Sequence, residues 1–331
     1  MEKRLSNDMA YSTGRLAPPR WNVLDLLEHI SRYSESVHLF CDIDGEAIEA
    51  LAENLSVGGQ KVTVTAILLK AISIAQLSHL NSASFRLPFG YIYKRDVPIA
   101  GFTVEREVDG QQAVFFGNIK DAQSKLLIDI ARELAAYGRN DVDTVTQLSK
   151  ERILSKIPYA LRQILVPLGC YLPFVREIIN PATFGLTSLG KFGLGVVVAP
   201  NVTTSIFGIG PMESKPVVVN GQVEIRKIMP ITYSVDNKIC DYHSAARFLK
   251  DIKDILESGL AGYLHESELE ALDAAAQKQA EITAEEKQEK SDQGEDSCDA
   301  QNPCSPEQPA NLKILSKKTQ AGTSPENRRS A

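Results

Sequence analysis

Apolar residues recur with two distinct periods along this chain. Between positions 37 and 43 they alternate (Val37, Leu39, Cys41, Ile43), the two-residue period of a strand with one buried face. Asp44-Gly45 then turns the chain into a segment carrying Ile48, Leu51 and Leu55 on one helical face. After Val57-Gly58-Gly59 a longer helix is predicted from Val64, Ile67, Leu68, Ala71, Ile72 and Ala75. Short strands are predicted at 90–93, 97–105 and 113–119, with Asp109-Gly110 turning between the last two. The stretch 124–137 is amphipathic, and 153–165 reads as helix, with Pro167 and Pro173 expected to break the segment after it. Strands are predicted again at 183–188, 203–209, 216–219 and 223–228, and Asn220-Gly221 is the strongest hairpin signal in the chain. Last comes a strand at 231–235, a polar turn at Asp236, Asn237 and Lys238, and a helix capped by Asp241. That helix places Ala245, Phe248, Leu249, Ile252, Ile255 and Leu256 on one face.

This order of elements is α+β with a mixed or antiparallel sheet, not a regular βαβ repeat. No internal repeat is present. From Glu266 onward there is no aromatic residue, and Glu, Lys, Gln, Ser, Ala and Pro dominate. The expected organisation is a folded domain at 1–265 and a polar, low-complexity tail at 266–331. The tail's first part, to about Lys290, is able to extend as a polar helix, and the rest is expected to be disordered.

Composition narrows the function classes. At 331 residues and 43% hydrophobic, the chain is long enough to bury a sizeable core. A net charge of -6 argues against nucleic acid or an anionic membrane as partner. No apolar run has the length of a membrane span, and the polar N-terminus lacks a signal peptide's apolar stretch. Five scattered cysteines suit a reducing compartment, so a cytoplasmic protein is expected, and Cys298 and Cys304 lack the partners of a zinc site. Paired metal ligands, flavin or nicotinamide fingerprints and Gly-x-Ser-x-Gly are all missing, so neither a metal nor a covalently bound cofactor is expected.

Two stretches carry candidate chemistry. The first is the strand, turn and helix start around Asn237, Asp241, Tyr242 and His243. The second is Thr183-Phe184-Gly185-Leu186-Thr187-Ser188-Leu189-Gly190-Lys191-Phe192-Gly193. Gly185 through Lys191 nearly spells a P-loop, but Phe192 stands where a Mg²⁺-ligating Ser or Thr belongs, so nucleotide hydrolysis is rejected.

Both stretches resemble the chloramphenicol acetyltransferase superfamily, and within it the catalytic domain of dihydrolipoyl acyltransferases from 2-oxo acid dehydrogenase complexes. That family ends in a strand, a His-x-x-x-Asp-Gly turn and a closing helix, and carries a Thr-Phe-x-Ile-Ser-x-Leu-Gly-x-Phe-Gly segment upstream. The resemblance implies a two-layer α+β sandwich and a homotrimer with sites between subunits. It implies acyl transfer from a coenzyme A or carrier thioester to a small acceptor. Thr187, with Ser188 beside it, falls on the oxyanion-donating hydroxyl, Asp241 on the loop-holding Asp, and Asn237 on the general-base His. An imidazole takes a proton near neutral pH and a carboxamide does not. Asn237 is therefore expected to orient a nucleophile, with Arg247 as a local partner for Asp241. His243 is two residues past Asp241 and reads as a solvated helix-start residue; His38 reads as structural, and His29, His79 and His265 have no motif context.

The family's lipoate-bearing and subunit-binding domains have no counterpart in the sequence, so a stand-alone relative is expected. Two functions are open to such a chain. One is an acyltransferase with an atypical site; the other is an inactive pseudoenzyme serving as an oligomeric or thioester-binding scaffold.

Overall fold

The computed structural model describes residues 34–56, 61–87, 91–108, 111–139 and 157–277, with isolated positions at 24, 25, 27, 28, 30, 31 and 89. All lie within one compact unit, 1–278. The alternating run near the start forms β1 (Ser36–Asp44), followed by α1 (Glu46–Asn54) and α2 (Val64–Ser78). Thr63 caps α2 by accepting the Ala66 N–H. A small separate ladder pairs β2 (Phe85–Arg86) with β3 (Ile92–Tyr93). Then come β4 (Ile99–Val108), β5 (Gln111–Lys120) and α3 (Leu127–Arg139). The turn expected at Asp109-Gly110 lies outside the described residues.

Of the helix expected at 153–165, positions 153–156 lie outside the described residues; α4 (Tyr159–Tyr171) starts after its Pro158 cap, and it corrects one expectation by continuing through Pro167. Pro167 removes one N–H, leaving only the Gln163 carbonyl without its helical donor, a local loss beside the exposed Ile164. Pro173 opens the next helix, α5 (Pro173–Ile179), at a first-turn position where an N–H has no helical partner anyway.

β6 (Phe184–Ser188), β7 (Ser205–Ile209), β8 (Glu213–Val219), β9 (Gln222–Asp236) and α6 (Tyr242–Glu257) complete the set. The strands at 223–228 and 231–235, expected separately, are one continuous β9. Asn220 and Gly221 turn β8 into β9 with φ of 51° and 82°, the two left-handed residues such a two-residue hairpin needs. Seven strands form one mixed sheet in the order β5-β4-β6-β7-β9-β1, with β8 also on β9. β6 runs parallel to β4 and β7, and every other pairing is antiparallel.

α1, α2, α3 and α6 pack their apolar faces on one side of the sheet, giving the expected two-layer α+β sandwich. α2 is buried continuously from Ala66 to Gln76, as a helix at the centre of that layer must be. α6 buries the six apolar residues predicted for it. Phe207 stacks on Tyr233 at 4.7 Å between ring centroids, and Phe248 of α6 meets both edge-on at 5.9 and 5.6 Å.

The packing continues past the expected boundary at 265. A further helix, α7, spans 266–277, and Leu264, Ala271 and Leu272 pack against the core. Its Glu268 is 6% exposed and accepts hydrogen bonds from the Leu127 N–H at 2.6 Å and the His265 N–H at 3.0 Å. The fully buried Lys70 ammonium lies 3.9 Å from the same carboxylate and donates to the Lys125 carbonyl. The rest of the expected tail, from 278 on, including the part expected to be disordered, lies outside the described residues.

Candidate active site

The sheet face opposite the core carries Thr187. Side chains alternate, so Phe184 and Leu186 of β6 point into the core while Gly185 and Thr187 point to the other face. Register places Thr187, Gly208, Thr232 and Phe40 in one row across four strands. The Thr187 hydroxyl accepts from that of Thr103 on β4 at 3.1 Å. Thr187 thus keeps its own O–H free to donate, as an oxyanion donor must. A single 3-10 turn, Gly190–Phe192, follows β6, and no phosphate-cradling helix forms. The chain then returns over the sheet: a side chain at Gly208 would meet the Val197 carbonyl oxygen at 2.0 Å, so only glycine admits that crossing.

Beside Thr187 this arrangement leaves a cavity of about 200 Å³. Phe116, Val202 and Ile206 contribute apolar side chains to its walls, and among the described residues no charged one lines it. Asn118 stands on its β5 side, and neither atom of its buried carboxamide has a hydrogen-bond partner among the described residues.

The second stretch is built by the end of β9. The Asp236 carboxylate accepts from the N–H groups of Glu35 and Lys238, and its carbonyl from those of Ile239 and Cys240, which fixes the turn. Asn237 is tied to the start of β1 through its N–H, donated to the Glu35 carbonyl at 2.8 Å. Its side-chain oxygen is buried with no partner among the described residues. Asp241 caps α6 as expected, accepting the Ser244 N–H at 3.0 Å and the Ser244 hydroxyl at 2.7 Å. That hydroxyl, then that N–H, hold the Asp241 carboxyl below the usual carboxylate range. Arg247 donates to the same Ser244 oxygen at 3.2 Å, so it reaches Asp241 through Ser244. His243 is exposed, its ring 4.3 Å from that of Tyr242.

A polar cavity of about 380 Å³ opens at this helix start, and it contains a residue that sequence reasoning passed over. His79, from the end of α2, lines it with Cys240, Ser244 and Arg247, its Nε2 2.7 Å from the Asp251 carboxylate. No local signal marks His79, because only tertiary packing brings it to α6. Burial pushes the Cys240 thiol up to about 11, which keeps it protonated and unreactive at neutral pH. His38 is on the sheet face expected for it, 2.8 Å from the Ser234 hydroxyl.

One chain does not bring Thr187 and Asn237 together. Thr187 is level with Thr232 of β9, and Asn237 lies five residues further on, about 16 Å at roughly 3.3 Å per residue. Two strand spacings of about 4.8 Å each separate them further. Among the described residues no group of three metal-ligating side chains converges, and no helix is long and apolar enough to cross a membrane.

Residues 176–261 match the 2-oxoacid dehydrogenases acyltransferase (catalytic domain) family. The lipoamide acyltransferase component of the branched-chain alpha-keto acid dehydrogenase complex of Pseudomonas putida is 39% identical over 85 residues, 25% of this chain and 20% of that protein. The dihydrolipoyllysine-residue acetyltransferase component of the pyruvate dehydrogenase complex of Acholeplasma laidlawii is 25% identical over 201 residues, 60% of this chain and 31% of that protein. The chain therefore spans well under half the length of these relatives. A probable dihydrolipoamide acetyltransferase from Listeria monocytogenes shares the fold, with a TM-score of 0.58 at 16% identity over 77% of this chain and 98% of that one. So does the Azotobacter vinelandii dihydrolipoamide acetyltransferase, at 0.58 and 19% over 78% and 96%. In that enzyme a serine, a histidine and, four positions later, an asparagine were investigated for roles in the catalytic mechanism. Residues 176–261 are similar to dihydrolipoyl acyltransferase catalytic domains, and the chain shares their α+β sandwich.

Proposed function

We propose that this protein binds a coenzyme A or carrier thioester and passes its acyl group to a small acceptor. The observation that supports this best is that the family match at 176–261 spans both the Thr187 strand and the turn from Asn237 to Asp241, on a fold shared along the chain. In this reading the nucleophile attacks the thioester carbonyl, the carbonyl oxygen becomes an oxyanion, and the thiol leaves. Thr187 donates to that oxyanion, a contact typically worth about 10²–10³ in rate. Asn237 and Asp241 repeat the four-residue spacing of the histidine and asparagine in the Azotobacter enzyme, with a carboxamide in place of the imidazole. Asn237 orients the acceptor and takes no proton from it. The acceptor must therefore arrive as an unprotonated amine or a thiolate. Asp241 holds the turn.

Because Thr187 and Asn237 are so far apart within one chain, a site using both takes one from each of two copies. A homotrimer with its sites between subunits satisfies this.

A second reading, an inactive scaffold that retains thioester binding, is favoured by Asn237 itself, since no other described imidazole occupies its turn. Thiol release from acetyl-coenzyme A, measured on the full chain and on Asn237→His, separates the two. A working site predicts turnover with some amine or thiol acceptor, raised about 10²–10⁴-fold by the imidazole. If the histidine variant binds acetyl-coenzyme A and neither protein releases thiol, the scaffold reading stands. If neither binds it, the thioester reading falls.

A further inference from the structure

The cavity beside Thr187 carries information about the acyl group. Its walls offer a narrow chemistry: the side chains of Phe116, Val202 and Ile206 are apolar, and among the described residues no Lys, Arg, Asp or Glu lines it. A carboxylate placed there would lose its hydration and meet no cation, a heavily unfavourable exchange. A dicarboxylic acyl group is therefore mismatched. Size argues against the smallest group as well. An engineered apolar cavity of about 150 Å³ accommodates a benzene ring. At about 200 Å³ this cavity is at least as roomy, and an acetyl methyl would leave most of it empty. Asn118 adds a neutral donor and acceptor at one wall, able to bond an uncharged oxygen or nitrogen but carrying no charge to neutralise an ion.

We infer that the cavity next to Thr187 selects an uncharged, largely apolar acyl group of about five to eight non-hydrogen atoms, by comparison with the benzene-sized cavity. The inference rests on the thioester reading for the identity of the ligand and on the cavity alone for its chemistry. Its size is set by two residues in one row across the sheet, Gly185 and Ile206. A methyl added at Gly185 would stand 2.7 Å from the Ile206 Cδ1, the free end of a flexible side chain, so Ile206 must swing aside and narrow the cavity.

The test uses the full chain, Gly185→Ala and Ile206→Ala, each checked for folding by near- and far-ultraviolet circular dichroism. Calorimetry measures binding of acetyl-, hexanoyl- and succinyl-coenzyme A, and of hexanamide as a probe with no thioester. The expected result is hexanoyl binding at least about tenfold tighter than acetyl, from added apolar burial, and succinyl binding no tighter than acetyl. Gly185→Ala should erase the hexanoyl preference, and Ile206→Ala should move it to longer chains. Equal binding of acetyl and hexanoyl thioesters, or tighter binding of succinyl, overturns the inference. So does a preference that neither substitution moves. Should no thioester bind, hexanamide decides. Binding to the natural protein that Gly185→Ala abolishes keeps the cavity's chemistry and discards the thioester, and no binding discards both.

Discussion

Glu268→Ala removes a single buried carboxylate on which three parts of the fold converge. Glu268 accepts from the Leu127 N–H at the start of α3 and from the His265 N–H at the start of α7, and it lies 3.9 Å from the Lys70 ammonium inside α2. Hydrogen bonds to a charged acceptor are worth roughly 1.5–3 kcal/mol each. Water replaces the acceptor at His265, on the outer side, at little cost. It does not reach Leu127 or Lys70, both of which are fully buried. The expected loss is therefore about 3 kcal/mol, one charged hydrogen bond together with a weakened buried pair. At a slope of about 2–3 kcal/mol per M urea, the unfolding midpoint should fall by roughly 1 M. Far-ultraviolet circular dichroism during urea titration reads it directly, and Glu268→Gln, which keeps an acceptor, should lose less.

The pH dependence is a second readout. Burial holds the Lys70 ammonium below the ordinary lysine value of 10.5, while Glu268 pushes it back up. Removing Glu268 lowers it further. A base depressed in the folded state binds fewer protons there than when unfolded, so stability rises with pH across the window between the two values. The deficit of the alanine variant should shrink as pH rises from neutral toward 10.5. A loss below about 0.5 kcal/mol, the range of ordinary surface substitutions, would refute the anchoring of α7.

Two further outcomes test other parts of the molecule. Phe248→Ala empties a fully buried site between Phe207 and Tyr233, and should cost about 3–5 kcal/mol in denaturant titration. Asp241 has a depressed carboxyl pKa, so its cap contributes fully above the ordinary carboxylate range and is lost as pH falls through the folded value. Asp241→Ala should therefore lower the melting temperature at neutral pH, and its difference from the natural protein should vanish in acid.

The sequence made the elements legible wherever local chemistry decides them. Alternation marked β1, the stripe from Ala245 to Leu256 marked α6, and Asn220-Gly221 marked a hairpin whose φ angles only such residues adopt readily. Asp241 was recognisable as a cap because its partner, Ser244, is three residues away. Features decided by distant contacts did not show. Lys70 reads as a surface lysine until Glu268 and the Lys125 carbonyl surround its ammonium. Glu268 belongs to a stretch whose composition suggests a solvated tail, and only its docking on α3 makes it part of the core. Pro167 looked like a helix end because the rule concerns a lost hydrogen bond, and here the helix absorbs the loss of that single bond. In the candidate site, residue types were readable and their arrangement was not. That Thr187 and Asn237 face different parts of the sheet comes from strand register.

The long ladder between β1 and β9 has a consequence for the newly made chain. Ser36 pairs with Asp236, 200 residues on, and all nine residues of β1 take their partners from β9. At about 5–20 residues per second, a ribosome needs about 10–40 s to deliver that partner after β1 has been made. During this interval β1 is an unclaimed edge carrying Val37, Leu39, Cys41 and Ile43, the pattern that recruits foreign strands. β9 is the last of the sheet's strands to emerge, and it closes the sheet. Chaperone attendance should therefore matter most before β9 leaves the ribosome, and nascent chains arrested short of residue 222 should aggregate where those released after residue 278 do not.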